Sequence, residues 1–197
     1  MAAVVLLSNI LVQHPFAYTL GSLNLADLLT WGAFSYPLAF LVTDITNRLL
    51  GAGVARRVVY IGFAVAIVLS AWLATPRLAA ASGLAFLLGQ LLDIGIFNAL
   101  RRQSWWKAPA FSSASGSVAD TVVFFTIAFA PFMSVLGPND PFAIEAAPLL
   151  GVYATEAPRW ISWALGDLSV KLLIAVIALM PYRIIVGWFL PMRAATT

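Results

Sequence analysis

Residues 36–51 read YPLAFLVTDITNRLLG. The stretch begins as an apolar helix and then sets Asp44, Asn47 and Arg48 close together near one end. The fold class turns on whether that run crosses a lipid bilayer or packs inside a water-soluble core, and composition decides between the two. Of 197 residues, 62% are hydrophobic and only 10% charged, with a mean hydropathy of +0.95; a soluble domain carries about 25% charged residues. So few charges cannot cover a water-facing surface. The expectation is an all-α integral membrane protein forming one transmembrane domain over 1–197, because helices satisfy their own backbone in lipid.

The absence of cysteine excludes disulfides, thiolate metal sites and cysteine nucleophiles. With His14 as the sole histidine, a multi-histidine metal site within one chain is excluded too, so no metal and no cofactor is expected. The net charge of +3 reads as membrane topology rather than affinity for nucleic acid, since basic residues collect in cytoplasmic loops. MAAVVLLSNI at the start lacks a basic segment, so a retained first span is expected rather than a cleaved signal.

A helix needs about 20 mainly apolar residues to cross a bilayer. Six stretches meet that length: about 2–20, 29–48, 57–75, 79–99, 110–133 and 165–189, with a longer Pro- and Gly-rich loop at 134–164. Alternating sides place Arg48, Arg56, Arg57, Arg101, Arg102, Lys107, Arg183 and Arg193 on one face, and only Arg77 and Arg159 on the other. That bias puts both termini in the cytoplasm and the loop outside.

Asp44, Asp93, Asp120, Asp167 and Lys171 fall within these spans. Facing lipid, five such groups would cost on the order of 12–17 kcal/mol, so they must face protein or a water-filled cavity. Gln90, Asp93 and Phe97 lie along one helical face, with Asn98 beside it, and Asn9, Gln13 and Phe16 share a side of the first span. Asp167 and Lys171 have the spacing of an intrahelical ion pair, and Lys171 can equally reach Asp120 or Asp93 across helices. Arg48 and Arg101 read as anchors snorkelling to the inner boundary. The small residues of APAFSSASGSVAD (108–120) permit close helix approach. Pro37 is expected to loosen the outer half of its helix.

A cavity with carboxylates, amides and aromatic rings but few cations suits a flat, neutral or cationic molecule rich in N–H donors. A carboxylate accepts two parallel hydrogen bonds from an amidine-like edge such as that of guanine, and Phe97, Phe124 or Phe125 can stack on the ring. Enzymatic chemistry finds no support: His14 has no serine partner in view, and LGDL (165–168) lacks the first glycine of an intramembrane aspartyl protease signature. A channel would need a selectivity filter or a ring of repeated charge.

The stretches YPLAFLVTDITNRLLGAGVARR (36–57), GQLLDIGIFNALRRQSWWKAPAFSSASGSVADTVVFFTIAF (89–129) and DLSVKLLIAVIALMP (167–181) resemble the queuosine precursor transporter family of small bacterial inner-membrane proteins. The resemblance implies import of the 7-deazaguanine precursors 7-cyano-7-deazaguanine and 7-aminomethyl-7-deazaguanine, used in tRNA modification. It also implies a six-helix bundle like the substrate-binding membrane component of energy-coupling-factor transporters. The family's motif residues map onto Asp44, Gln90, Asp93, Asn98, Asp120 and Lys171, and Phe97 is added as a stacking surface. The alternative is a binding subunit for a purine-like or vitamin-like compound that needs a separate energising partner. Small residues at Ala79–Gly83 and Ser112–Gly116 can pack within the bundle or across a homodimer.

Overall fold

The computed structural model describes residues 1–12, 14–21, 23–73 and 75–189; Gln13 and Arg193, both named above, lie outside them. The helices are α1 (Ala2–Leu11), α2 (Trp31–Ser35), α3 (Leu38–Leu50), α4 (Ala52–Leu73), α5 (Pro76–Leu100), α6 (Lys107–Phe129), α7 (Pro141–Ile144) and α8 (Arg159–Phe189). Two short antiparallel hairpins complete the described chain: β1 (Thr19–Leu20) with β2 (Leu23–Asn24), and β3 (Ala146–Pro148) with β4 (Glu156–Pro158).

Among the described residues four helices are long and apolar enough to cross a membrane: α4 over Ala52–Ser70, α5, α6 and α8. They correspond to the expected spans 57–75, 79–99, 110–133 and 165–189. The expected first span is helical only over Ala2–Leu11, and the expected second is split into α2 and α3. Proline explains both departures. His14 precedes Pro15, which disfavours helix at His14; the chain there turns and pairs with the start of α2, Phe16 N donating to Leu29 O and Trp31 N to His14 O. Pro37 has no N–H to donate, and Tyr36–Pro37 joins α2 to α3 through tighter turns, Ala39 N reaching Tyr36 O and Phe40 N reaching Pro37 O. At ten residues α1 is about 15 Å long, half a hydrocarbon core.

Local signals set the other boundaries. Gly51, at φ +85°, makes the turn between α3 and α4, a conformation that suits glycine. Thr75 caps α5 by accepting from Leu78 N at 3.4 Å, with Pro76 in the first turn. Arg77, only 4% exposed, is spent inside the protein rather than on a loop surface. Its Nε donates to Ile127 O at 2.8 Å and its guanidinium also reaches Ala130 O, Gly137 O, Pro138 O and Asn139 Oδ1. It thereby satisfies the Ile127 carbonyl near the end of α6 and pins the following loop. That loop is ordered: α7, β3 and β4 lie within it, and α8 begins before it was expected to end.

α5 and α6 cross at two glycines. A methyl at Gly89 would lie 3.0 Å from Gly116 O and 3.0 Å from Asp120 Cβ; one at Gly116 would lie 2.9 Å from Gly89 O and 2.6 Å from Phe40 Cε1. The small residues Ala81, Gly83, Ser112, Ser113 and Gly116 are all buried within the chain. α8, by contrast, exposes Leu173, Val176, Ile177, Met180 and Ile184, the character of a lipid-facing helix.

The basic residues divide between the two ends of the bundle. Arg48 donates from Nε to the Tyr182 hydroxyl at 3.1 Å and from Nη1 to Arg101 O at 2.6 Å, and Arg183 lies 4.9 Å from the Trp105 ring centroid. Arg77 and Arg159 are held at the opposite, loop-bearing end, Arg159 pairing with Glu145 at 3.2 Å.

Candidate functional site

A cavity of about 820 Å³ occupies the loop-bearing end, between α1, α2, α4, α5, α6 and α8, and extends to Phe142, Ala147 and Pro148 of the loop. Its volume falls within the usual range for small-molecule sites. Its floor is built from Tyr36, Asp120, Asp167 and Lys171. Asp120 on α6 is 3% exposed; its Oδ2 accepts from Lys171 Nζ at 2.6 Å and its Oδ1 from the Tyr36 hydroxyl at 3.0 Å. Lys171 also pairs with Asp167 Oδ2 at 2.5 Å and donates to Thr121 Oγ1 at 3.2 Å, while Thr121 donates to Asp167 Oδ2 at 2.9 Å. The Lys171 ammonium stands 5.3 Å from the Tyr36 ring centroid.

Two carboxylates and one ammonium leave this floor with an excess of one negative charge when all three are ionised. An anionic ligand is disfavoured there, and a donor-rich neutral or cationic one is favoured. Rings climb the wall above. Phe124 and Phe125 meet edge to face at 5.1 Å, Phe125 and Phe129 lie 5.9 Å apart, and Phe129 meets Trp163 at 5.5 Å. Such rings offer faces to a planar heterocycle. Ser8, Ser82 and Ser162 add hydroxyls to the lining, and Asn9 an amide.

A second polar cluster lies beyond the Gly89–Gly116 crossing. Asp44, 2% exposed, accepts from Ser112 Oγ at 3.1 Å and Ser113 Oγ at 2.9 Å. Asp93 adjoins Asp44 and Ser112, and Gln90 Oε1 accepts from Thr43 Oγ1. The buried Phe40 ring packs against Gly116 between this cluster and the cavity.

The expected site residues thus divide. Asp120 and Lys171 line the cavity, as do Phe124 and Phe125. Asp44, Gln90 and Asp93 form the second cluster. Phe97 is fully buried, edge-on to Tyr182 at 6.4 Å and 5.7 Å from the Arg48 guanidinium, so it packs the opposite end of the bundle. Asn98 is exposed and accepts from Arg101 at 3.3 Å. Lys171 pairs with both Asp120 and Asp167 and with no other carboxylate among the described residues. Tyr36, Trp163 and the loop residues Phe142 and Pro148 were not singled out by sequence reasoning, nor was any site residue placed in the first span, which supplies Ser8 and Asn9. For Tyr36 the signal was a phenol inside an apolar run, next to a proline.

No solved structure matches this chain. The family model described as "Putative vitamin uptake transporter" matches residues 30–75 and 69–186. The queuosine precursor transporter of Escherichia coli is 35% identical over 195 residues, covering 88% of this chain and 77% of that protein. A "Probable queuosine precursor transporter" of Haemophilus influenzae is 34% identical over 201 residues with the same coverage, and one of Bacillus subtilis is 24% identical over 181 residues. The matched ranges contain α2 to α6 and nearly all of α8, and with them both polar clusters. A multi-pass helical membrane protein with a ligand-sized cavity is therefore also similar over most of its length to proteins named as queuosine precursor transporters, and the chain belongs to the queuosine precursor transporter family.

Proposed function

We propose that this protein imports a queuosine precursor, a 7-deazaguanine such as 7-cyano-7-deazaguanine or 7-aminomethyl-7-deazaguanine, across the bacterial inner membrane. The observation that carries the reading is the Asp120 carboxylate, buried at the base of a ring-lined cavity and already held by Tyr36 and Lys171. A deazaguanine keeps the N1–H and exocyclic amine of guanine, and those two donors suit one carboxylate bidentately. Phe124, Phe125 and Trp163 supply stacking surfaces. Lys171 and Asp167 balance the charge of the floor as the ligand enters and leaves.

The end bearing Arg48, Arg101 and Arg183 faces the cytoplasm in this reading, following the bias of basic residues, so the cavity opens outward. The six passes then comprise α4, α5, α6 and α8, a pass broken at Tyr36–Pro37 in α2–α3, and a partial one in α1. Discontinuous helices near a binding site are common in carriers.

The test is uptake of labelled 7-cyano-7-deazaguanine by liposomes containing only this chain, alongside Asp120→Asn and a substrate analogue lacking the exocyclic amine. Expected are saturable uptake, loss of it in the variant and discrimination against the analogue. A folded protein that neither binds nor moves any deazaguanine would overturn the assignment. Binding without uptake would instead favour a binding subunit that needs an energising partner.

A further inference from the structure

We propose that Asp44 and Asp93 form a binding site for a small monovalent cation, H⁺ or Na⁺, that couples import to a gradient; this rests on the transport reading above. The cluster sits on the far side of the Gly89–Gly116 crossing from the substrate cavity, and that reading gives it no task.

Five oxygens are decisive. Asp93 is fully buried, and its carboxylate lies against Ser112 and Asp44 without a hydrogen bond of ordinary geometry at either oxygen, while Asn47 Oδ1 and Ser117 Oγ are buried and unpartnered too. Asp44 contributes an oxygen that already takes the Ser113 hydroxyl. Buried polar groups are normally paired, and a buried carboxylate with no donor is the costliest kind to leave alone. Gln90 Nε2 is unpartnered as well, while its Oε1 accepts from Thr43.

Charge points the same way. Among the described residues no lysine or arginine forms an ion pair with Asp44 or Asp93. Arg48, one turn along α3 from Asp44, is turned toward Tyr182 on α8 and the Arg101 carbonyl at the end of α5. From α6 the cluster meets only hydroxyls, those of Ser112, Ser113 and Ser117, and the nearest acid along α6, Asp120, belongs to the cavity floor with Lys171. Two carboxylates within a membrane span without a counter-charge call for a cation.

Size selects its kind. A void of about 10 Å³ reaches the Asp44 side of the cluster, lined by Asp44, Ser113, Ser117 and Tyr182 among apolar residues and not by Asp93; it is enough for one water-sized particle and far too small for a fused two-ring heterocycle. No cluster of three or more acidic or histidine side chains exists among the described residues. A pair of carboxylates with hydroxyl and amide oxygens suits a monovalent ion better than Ca²⁺ or Mg²⁺, which take a fuller oxygen shell or keep their own waters.

The crossing supplies the link to transport. Asp93 lies beside Gly116, and Asp120 lies against Gly89, so one pair of packed helices carries both sites. Neutralising Asp44 and Asp93 removes repulsion between α3 and α5 on one side of that contact, and substrate engages Asp120 on the other.

The experiment uses the full chain in liposomes with labelled 7-cyano-7-deazaguanine, comparing substrate counterflow with accumulation driven by an imposed pH gradient or an imposed Na⁺ gradient. Expected is accumulation with one of the two, which identifies the cation. Asp93→Asn should then lose that accumulation, and the milder Ser117→Ala should shift the driving-ion concentration needed to a higher value. Counterflow with no response to either gradient would overturn the cation site and leave the transport reading standing. Gradient-driven accumulation that survives Asp93→Asn would do the same. No uptake of any kind would remove the transport reading and this inference with it.

Discussion

Gly89 of α5 and Gly116 of α6 meet backbone against backbone, and each stands four residues before a buried aspartate that lies against the opposite glycine. GQLLD (89–93) and GSVAD (116–120) thus repeat one pattern on two consecutive helices. The contact sets Asp93 and Asp120 on opposite sides of the closest approach, one in each polar cluster.

Filling the crossing should separate the helices. Gly116→Ala sets a methyl 2.6 Å from Phe40 Cε1 and 2.9 Å from Gly89 O, and a clash against backbone has little room to relax. We expect a loss of about 1–3 kcal/mol, typical of overpacking, read as a lower thermal midpoint in detergent. Gly95, on the same α5 with nothing within 4 Å of an added methyl, is the control. Gly95→Ala should be neutral or gain about 0.5–1 kcal/mol. Equal behaviour of the two variants would show that the crossing is not tight.

Removing the ammonium from the cavity floor should be costly. Lys171→Met leaves Asp120 and Asp167 close together without their shared cation, a loss of about 3–5 kcal/mol by analogy with other broken buried pairs. Adding Asp120→Asn should recover part of it, since one charge then needs no partner. A double variant no more stable than Lys171→Met would mean that the lysine acts through packing alone.

The Tyr36 hydroxyl orients Asp120 and should matter to the ligand more than to the fold. Tyr36→Phe keeps the ring beside Lys171 and deletes one donor to Asp120 Oδ1. Hydrogen bonds to a charged group are worth about 1.5–3 kcal/mol, so Kd for 7-cyano-7-deazaguanine should rise roughly tenfold or more. Titration of the purified variant would check this, and an unchanged Kd would place the ligand away from Asp120.

Arg77 should resist conservative replacement. Lysine carries one compact ammonium and cannot span the acceptors that the guanidinium joins between residues 127 and 139. Arg77→Lys is expected to cost about 1–3 kcal/mol through acceptors left without donors. Limited proteolysis should also show faster cleavage within residues 131–158, which local opening would expose. Wild-type cleavage rates would argue that the loop is held elsewhere.

The long helices could be read from the sequence because α4, α5, α6 and α8 each contain an unbroken apolar window of span length. α1 and α2–α3 could not be bounded that way. Hydropathy averages across Pro15 and Pro37, whereas the backbone cannot ignore a missing donor. The ionisable residues were recognisable as inward-facing from cost alone, and all five are buried or partly buried. Their division into two clusters was not legible, since it depends on where α5 and α6 touch, and glycine pairs carry no label for the partner they meet. Asn98 failed for a simpler reason: one position past Phe97 turns the side chain about 100° around the helix, here out of the protein. Tyr36 gains its role only from Asp120, 84 residues away.

One arginine fastens the end of the bundle opposite the cavity. Arg48 ties α3 to the Tyr182 hydroxyl of α8 and to the carbonyl that closes α5, with Phe97 beneath its guanidinium. In the import reading proposed above, a solute leaving by that end would have to part these contacts, which would make Arg48 a latch on the exit.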